Sequence, residues 1–243
     1  MIKNIRFFLL WMAFLTLVSA AVRADLTAEA SGKIQARIAE YRQTVRDLHT
    51  NQEIQILTPE GSMVQQAEFF QKGRQFRVNI ESQIPGVAEL GLENMNAVLV
   101  SDGNSAWMVS PFTGKIELPF EESFKFYAQN SFWNVADSEG FRMKATADIR
   151  GRPCYVIEIG DENTGPVIFW ADQATLDILQ SEYRSEEGVF QVTYSDHRRI
   201  QGNLSLPYRI EIYQDGRLLS VAVIQSVQIN SGLQDAYFDP SQI

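Results

Sequence analysis

The sequence predicts a mainly β protein with an α lid: a curved, incomplete antiparallel β-barrel, or half-barrel, covered by an N-terminal amphipathic helix. Three observations carry this reading. Apolar residues recur with a period of two over most of the chain from Gln52 onward, while only the stretch Ala28 to Leu48 has a strong helical period. Short turn dipeptides ending in glycine punctuate the alternating runs. A large antiparallel sheet tends to curl, and a single helix is enough to cover its open side. If side chains do not fill the hollow so formed, it suits a greasy ligand.

At the N-terminus Lys3 and Arg6 precede an apolar run from Phe7 to Val18, and Val22-Arg23-Ala24 offers residues a signal peptidase accepts. Residues 1–24 therefore read as a signal peptide, leaving 25–243 as a single domain of 219 residues in the periplasm. The apolar run is shorter than the roughly 18 to 20 residues a permanent span needs. Asp25, where a lipid-anchored protein needs cysteine, predicts a soluble monomer.

In the helix, Ile34, Ile38, Tyr41, Val45 and Leu48 form one apolar stripe, with Thr27 as its N-cap. Lys33, Arg37, Glu40, Arg42 and Asp47 occupy the remaining surface. Eleven to thirteen strands follow. Phe76, Val78 and Ile80 alternate with Arg77, Asn79 and Glu81; the pattern returns at 141–147, 190–194, 206–212 and 219–229. Turns are expected at Glu60-Gly61, Lys72-Gly73, Asp102-Gly103, Thr113-Gly114, Arg150-Gly151, Glu187-Gly188, Gln201-Gly202 and Asp215-Gly216.

Two segments interrupt the meander. Gln83 to Asn96 carries Ile84, Val87, Leu90, Leu92 and Met95 among Pro85, Gly86 and Gly91, and reads as a second, swinging lid; Pro119 to Phe132 reads as a short helix. The lid candidates are thus Ile34, Ile38, Tyr41, Val45, Val87, Leu90, Leu92 and Met95. Alternation assigns Phe76, Val78, Ile80, Trp107 and Val109 to the cavity wall.

The chain lacks the signatures of catalysis. It has no G-x-S-x-G, H-E-x-x-H, P-loop or dinucleotide fingerprint, and its two histidines and single Cys154 suit neither a zinc site nor an internal disulfide. Ser195-Asp196-His197 spells a triad, but neighbours on a strand point to opposite faces. The expectation is a non-enzyme without metal or cofactor. Without Lys3, Arg6 and Arg23, 18 basic residues face 30 acidic ones, a balance that disfavours nucleic acid and anionic membrane surfaces as partners.

Several segments bear a family likeness. Ser101-Asp102-Gly103 leading to Ala106-Trp107-Met108 and Pro111-Phe112-Thr113-Gly114 resembles a segment of the outer-membrane lipoprotein-sorting proteins, the LolA-like family. Arg150-Gly151-Arg152-Pro153-Cys154-Tyr155, Phe169-Trp170-Ala171-Asp172 and Val192-Thr193-Tyr194-Ser195-Asp196 resemble further strands of that family, in order. Val227-Gln228-Ile229-Asn230 through Phe238 is similar to its closing segment. The resemblance implies a periplasmic carrier that holds the acyl chains of a lipoprotein or lipid. Its implied partners are an inner-membrane donor and an outer-membrane acceptor. The alternative on the same scaffold is a regulatory module that senses lipid or unfolded protein and signals to a membrane partner.

Overall fold

The computed structural model describes residues 28–59, 61–83, 94–111, 113–119, 125–126, 132–160 and 165–243. The signal segment, the expected cap at Thr27 and most of both interrupting segments lie outside them. Helix α1 covers residues 28–44. Strands follow at Leu48–Thr58 (β1), Gly61–Lys72 (β2), Gln75–Gln83 (β3), Asn94–Ser101 (β4), Ala106–Ser110 (β5) and Gly114–Leu118 (β6). After helix α2, Phe132–Glu139, come Arg142–Ile149 (β7), Arg152–Ile159 (β8), Val167–Asp172 (β9), Ile178–Ser185 (β10), Gly188–Gln201 (β11), Leu204–Gln214 (β12) and Arg217–Ile229 (β13). Two 3₁₀ turns, Asp235–Phe238 and Pro240–Gln242, complete the described chain.

All thirteen strands join one sheet in the order β6-β5-β4-β3-β2-β1-β13-β12-β11-β10-β9-β8-β7, so the first and last strands meet in the middle and β6 and β7 are its edges. Laid flat, twelve strand spacings would separate those edges by roughly 58 Å. Instead Leu118 of β6 and Met143 of β7 pack against one core, which shows the sheet curled but unclosed. Turn chemistry supports the tight corners. Arg150 and Gly151 have φ of 55° and 80°, Asp215 and Gly216 of 49° and 79°, the paired left-handed conformations of a two-residue hairpin whose twist matches the flanking strands.

The apolar stripe of α1 lies on the concave face: Ala30, Ile34, Ile38, Tyr41 and Val45 are buried in the main core with Phe69, Phe76, Ile157 and Phe169. α2 joins them through Phe132, whose ring lies 4.7 Å from that of Phe169. The sequence places the helix through Leu48, but it ends at residue 44 and Leu48 opens β1. The cause is remote in sequence. Asn230, at φ 60°, donates its side-chain amide to the Thr44 carbonyl (2.9 Å) and accepts the Arg46 N–H (2.8 Å), capping the helix from the end of β13. Of the expected short helix at 119–132, only residues 119, 125–126 and 132 are described; the helix Phe132–Glu139 begins where that expectation stops. Met95, with residues 83, 94 and 96, belongs to paired strand and not to a swinging segment, its backbone facing Ser82. Val87, Leu90 and Leu92 lie outside the described residues.

Candidate functional site

A cavity of about 80 Å³ remains between the two helices and the concave face. Tyr41 of α1 and Phe132 and Trp133 of α2 face Leu48, Phe69, Ile210 and Ile224 across it, giving a largely apolar interior. Its rim is polar, formed by Arg37, Asp177, His197 and Ser205. The sheet supplies this geometry because side chains two apart on a strand share a face, and directly paired residues on neighbouring strands share it as well.

That register sorts the five wall residues that alternation assigns, and it corrects two of them. Phe76, Val78 and Ile80 pair with Gln71, Phe69 and Ala67 on the concave face; Phe76 and Val78 are buried there and Ile80 packs against them. Trp107 pairs with Val100, which pairs with Arg77, and Val109 pairs with Val98, which pairs with Asn79. Arg77 and Asn79 alternate with Phe76 and Val78, so Trp107 and Val109 stand on the opposite, outer face. In β4 and β5 both faces are apolar, so period-two alternation carries no information about which is inside. None of the five lines the 80 Å³ cavity, whose sheet wall comes from β1, β2 and β10–β13. On the outer face Phe70 packs its ring 4.8 Å from Tyr237 of the C-terminal segment, whose next residue, Phe238, is fully buried.

α1 is held over the cavity at two places. At its C-terminal end, besides the Asn230 cap, the Asp47 carboxylate accepts the Ser231 N–H (2.6 Å), the Ser231 hydroxyl (2.8 Å) and the Gly232 N–H (3.0 Å). Burial alone would raise the Asp47 pKa, but these donors outweigh it and hold the carboxyl below its ordinary value. Nearer the middle, Arg37 donates to the Asn203 carbonyl (2.6 Å) and the Thr175 carbonyl (3.0 Å), bridging α1 to the β11–β12 and β9–β10 turns. The Arg37 side chain is only 13% exposed although the sequence places it on the polar side of the helix. Periodicity marks Arg37 as solvated; only the turns that curl over the helix make it a cross-link.

The polar side chains of the rim are engaged with neighbouring groups. Asp177 is engaged by the hydroxyls of Ser205 and Thr175. The His197 ring donates from Nε2 to the Ile178 carbonyl (2.9 Å), and burial lowers its pKa, which leaves the imidazole neutral at pH 7. Asp196, at φ 53°, is paired with Arg198 at 2.6 Å and does not orient His197. Among the described residues no cluster of three His, Cys, Asp or Glu side chains could hold a metal ion, and no helix is long and apolar enough to cross a membrane.

An unclosed, curled antiparallel sheet with an amphipathic helix on its concave side is the LolA-like fold, as the segment resemblances imply. No family model matches the chain, and no curated protein matches it in sequence. Among solved structures it is similar to an outer membrane lipoprotein-sorting protein domain from Vibrio parahaemolyticus, at 13% identity and a TM-score of 0.62 over 90% of this chain and 98% of that one. A DUF1329 family protein from Desulfovibrio piger matches at 14% identity and a TM-score of 0.65, over 89% and 98% of the two chains. A LolA superfamily protein from Nitrosomonas europaea matches at 16% identity and a TM-score of 0.60, over 81% and 91%. At these identities what is shared is the fold.

Proposed function

We propose that the protein is a periplasmic carrier that binds the acyl chains of a lipoprotein or lipid beneath α1 and moves them between membranes, from an inner-membrane donor to an outer-membrane acceptor. One observation carries the reading: the amphipathic helix covers the concave apolar face yet leaves a cavity with a largely apolar interior and a polar rim. Acyl chains need apolar area for the tail and water for the head, and this arrangement supplies both. The LolA-like fold and the secretory character of residues 1–24 agree with it.

The cavity volume adds a mechanical requirement. At about 80 Å³ it is smaller than the ~150 Å³ cavity that admits benzene and well below the ~300 Å³ at which ligand pockets begin. Loading therefore requires α1 to lift, with the Asn230 and Asp47 contacts as the hinge and the Arg37 contacts as the clasp.

The test is to purify the protein from a periplasmic extract without detergent, extract it with organic solvent and identify the lipid by mass spectrometry. An acyl lipid at near-stoichiometric amount is expected. Protein that is free of lipid and also fails to bind a fluorescent fatty-acyl probe overturns the reading.

A further inference from the structure

The interior of the cavity is not wholly apolar. Thr50 and Gln52 stand two apart on β1 and both line it. Thr50 is 2% exposed and Gln52 9%, and their neighbours across the strands are Phe69 and Ile224. Gln52 Nε2 donates to Thr50 Oγ1 at 2.9 Å, and among the described residues neither side chain makes another hydrogen bond. That leaves one acceptor, Gln52 Oε1, and two donors, the second Nε2–H of Gln52 and the Thr50 hydroxyl hydrogen. Gln52 Oε1 is not sealed off by protein and opens on the cavity. The strand is also irregular at this point: Asn51 faces Ser226 but Gln52 faces Ile224, so β13 carries one extra residue here. Such bulges re-aim side chains where a sheet serves a site.

We infer that Thr50 and Gln52 form a subsite for the amide linkage of an N-acyl chain. A secondary amide offers one N–H and one carbonyl oxygen. Gln52 Oε1 accepts from the N–H; the remaining Gln52 N–H and the Thr50 hydroxyl donate to the carbonyl. An O-acyl ester has the carbonyl but no N–H and leaves Gln52 Oε1 unpaired, the kind of mismatch by which a hydrogen-bonding site rejects an analogue. The tail then lies along Phe69, Phe132 and Trp133, and the head leaves past Arg37 and His197 at the rim. This inference rests on the carrier reading and narrows its cargo to amide-linked acyl chains.

The experiment uses the mature full-length chain loaded with a fluorescent acyl probe. Two ligands of one chain length compete for it: an N-acyl ethanolamine, and the ethylene glycol ester that differs only in replacing N–H by O. The amide is expected to displace the probe at about tenfold lower concentration. Gln52→Met should abolish the preference while ester binding persists, and Thr50→Val should reduce it. Equal displacement by amide and ester in the wild type overturns the inference alone. So does a preference that survives in Gln52→Met. Displacement by neither overturns the carrier reading with it. The wild-type comparison decides even if the variants fail to fold. An N-acyl tripeptide as third competitor separates the sources: tighter binding than the ethanolamide assigns the subsite to acylated protein, equal binding to amide-linked lipid, and either supports the amide chemistry.

Discussion

Replacing Arg37 with methionine keeps the length and helix propensity of the side chain and removes the two hydrogen bonds that clasp α1 to the Thr175 and Asn203 carbonyls. Hydrogen bonds from a charged donor contribute about 1.5 to 3 kcal/mol each, but both bonds are solvent-exposed, so water can replace the guanidinium. A combined loss of about 2 to 3 kcal/mol is therefore expected, a roughly thirty- to 150-fold rise in the population with α1 lifted. The sheet does not depend on Arg37. Hydrogen exchange should then accelerate by that factor in the amides of α1 and stay unchanged in β12 and β13. Trp133, on the cavity wall, offers a second readout through its fluorescence. Unchanged exchange in α1 would refute the clasp. Acceleration of equal size throughout the sheet would show that α1 opens only when the whole domain unfolds, and would refute the lid.

Two further outcomes follow from the geometry. Leu206 and Val109 are both half-buried, but Leu206 lines the cavity and Val109 stands on the outer face, so Leu206→Glu should weaken retention of an acyl probe at least tenfold while Val109→Glu leaves it unchanged. Equal effects in folded variants would place the binding surface elsewhere. The Asp47 carboxyl is held below its ordinary pKa of about 3.9, so the stability it contributes is full above that value and is lost as pH falls through the depressed folded-state pKa. Thermal melting should show wild type losing stability below about pH 4, whereas Asp47→Ala should cost about 2 to 4 kcal/mol at pH 7 and show a shallower acid transition. An unchanged acid limb in the variant would contradict the assignment.

The stripe Ile34, Ile38, Tyr41 and Val45, the alternation of Phe76, Val78 and Ile80, and the glycine turns are legible in the sequence because each is a local consequence of backbone period and allowed φ. Those features are enough to determine a curled sheet with one covering helix. What they do not determine depends on partners far along the chain. The end of α1 is set by Asn230, 186 residues after the Thr44 carbonyl it caps. The face of Trp107 and Val109 is set by the pairing of β3, β4 and β5, because Val98, Leu99, Val100, Met108 and Val109 make both sides apolar and erase the local signal. In sequence Thr50 and Gln52 alternate with His49, Asn51 and Glu53 and fall in register with Leu48, Ile54 and Ile56, the apolar side of a half-buried strand. Only the meeting of β1 with β13 beneath α1 makes that side a cavity wall, because curling the sheet converts one face into an interior whatever its residues are.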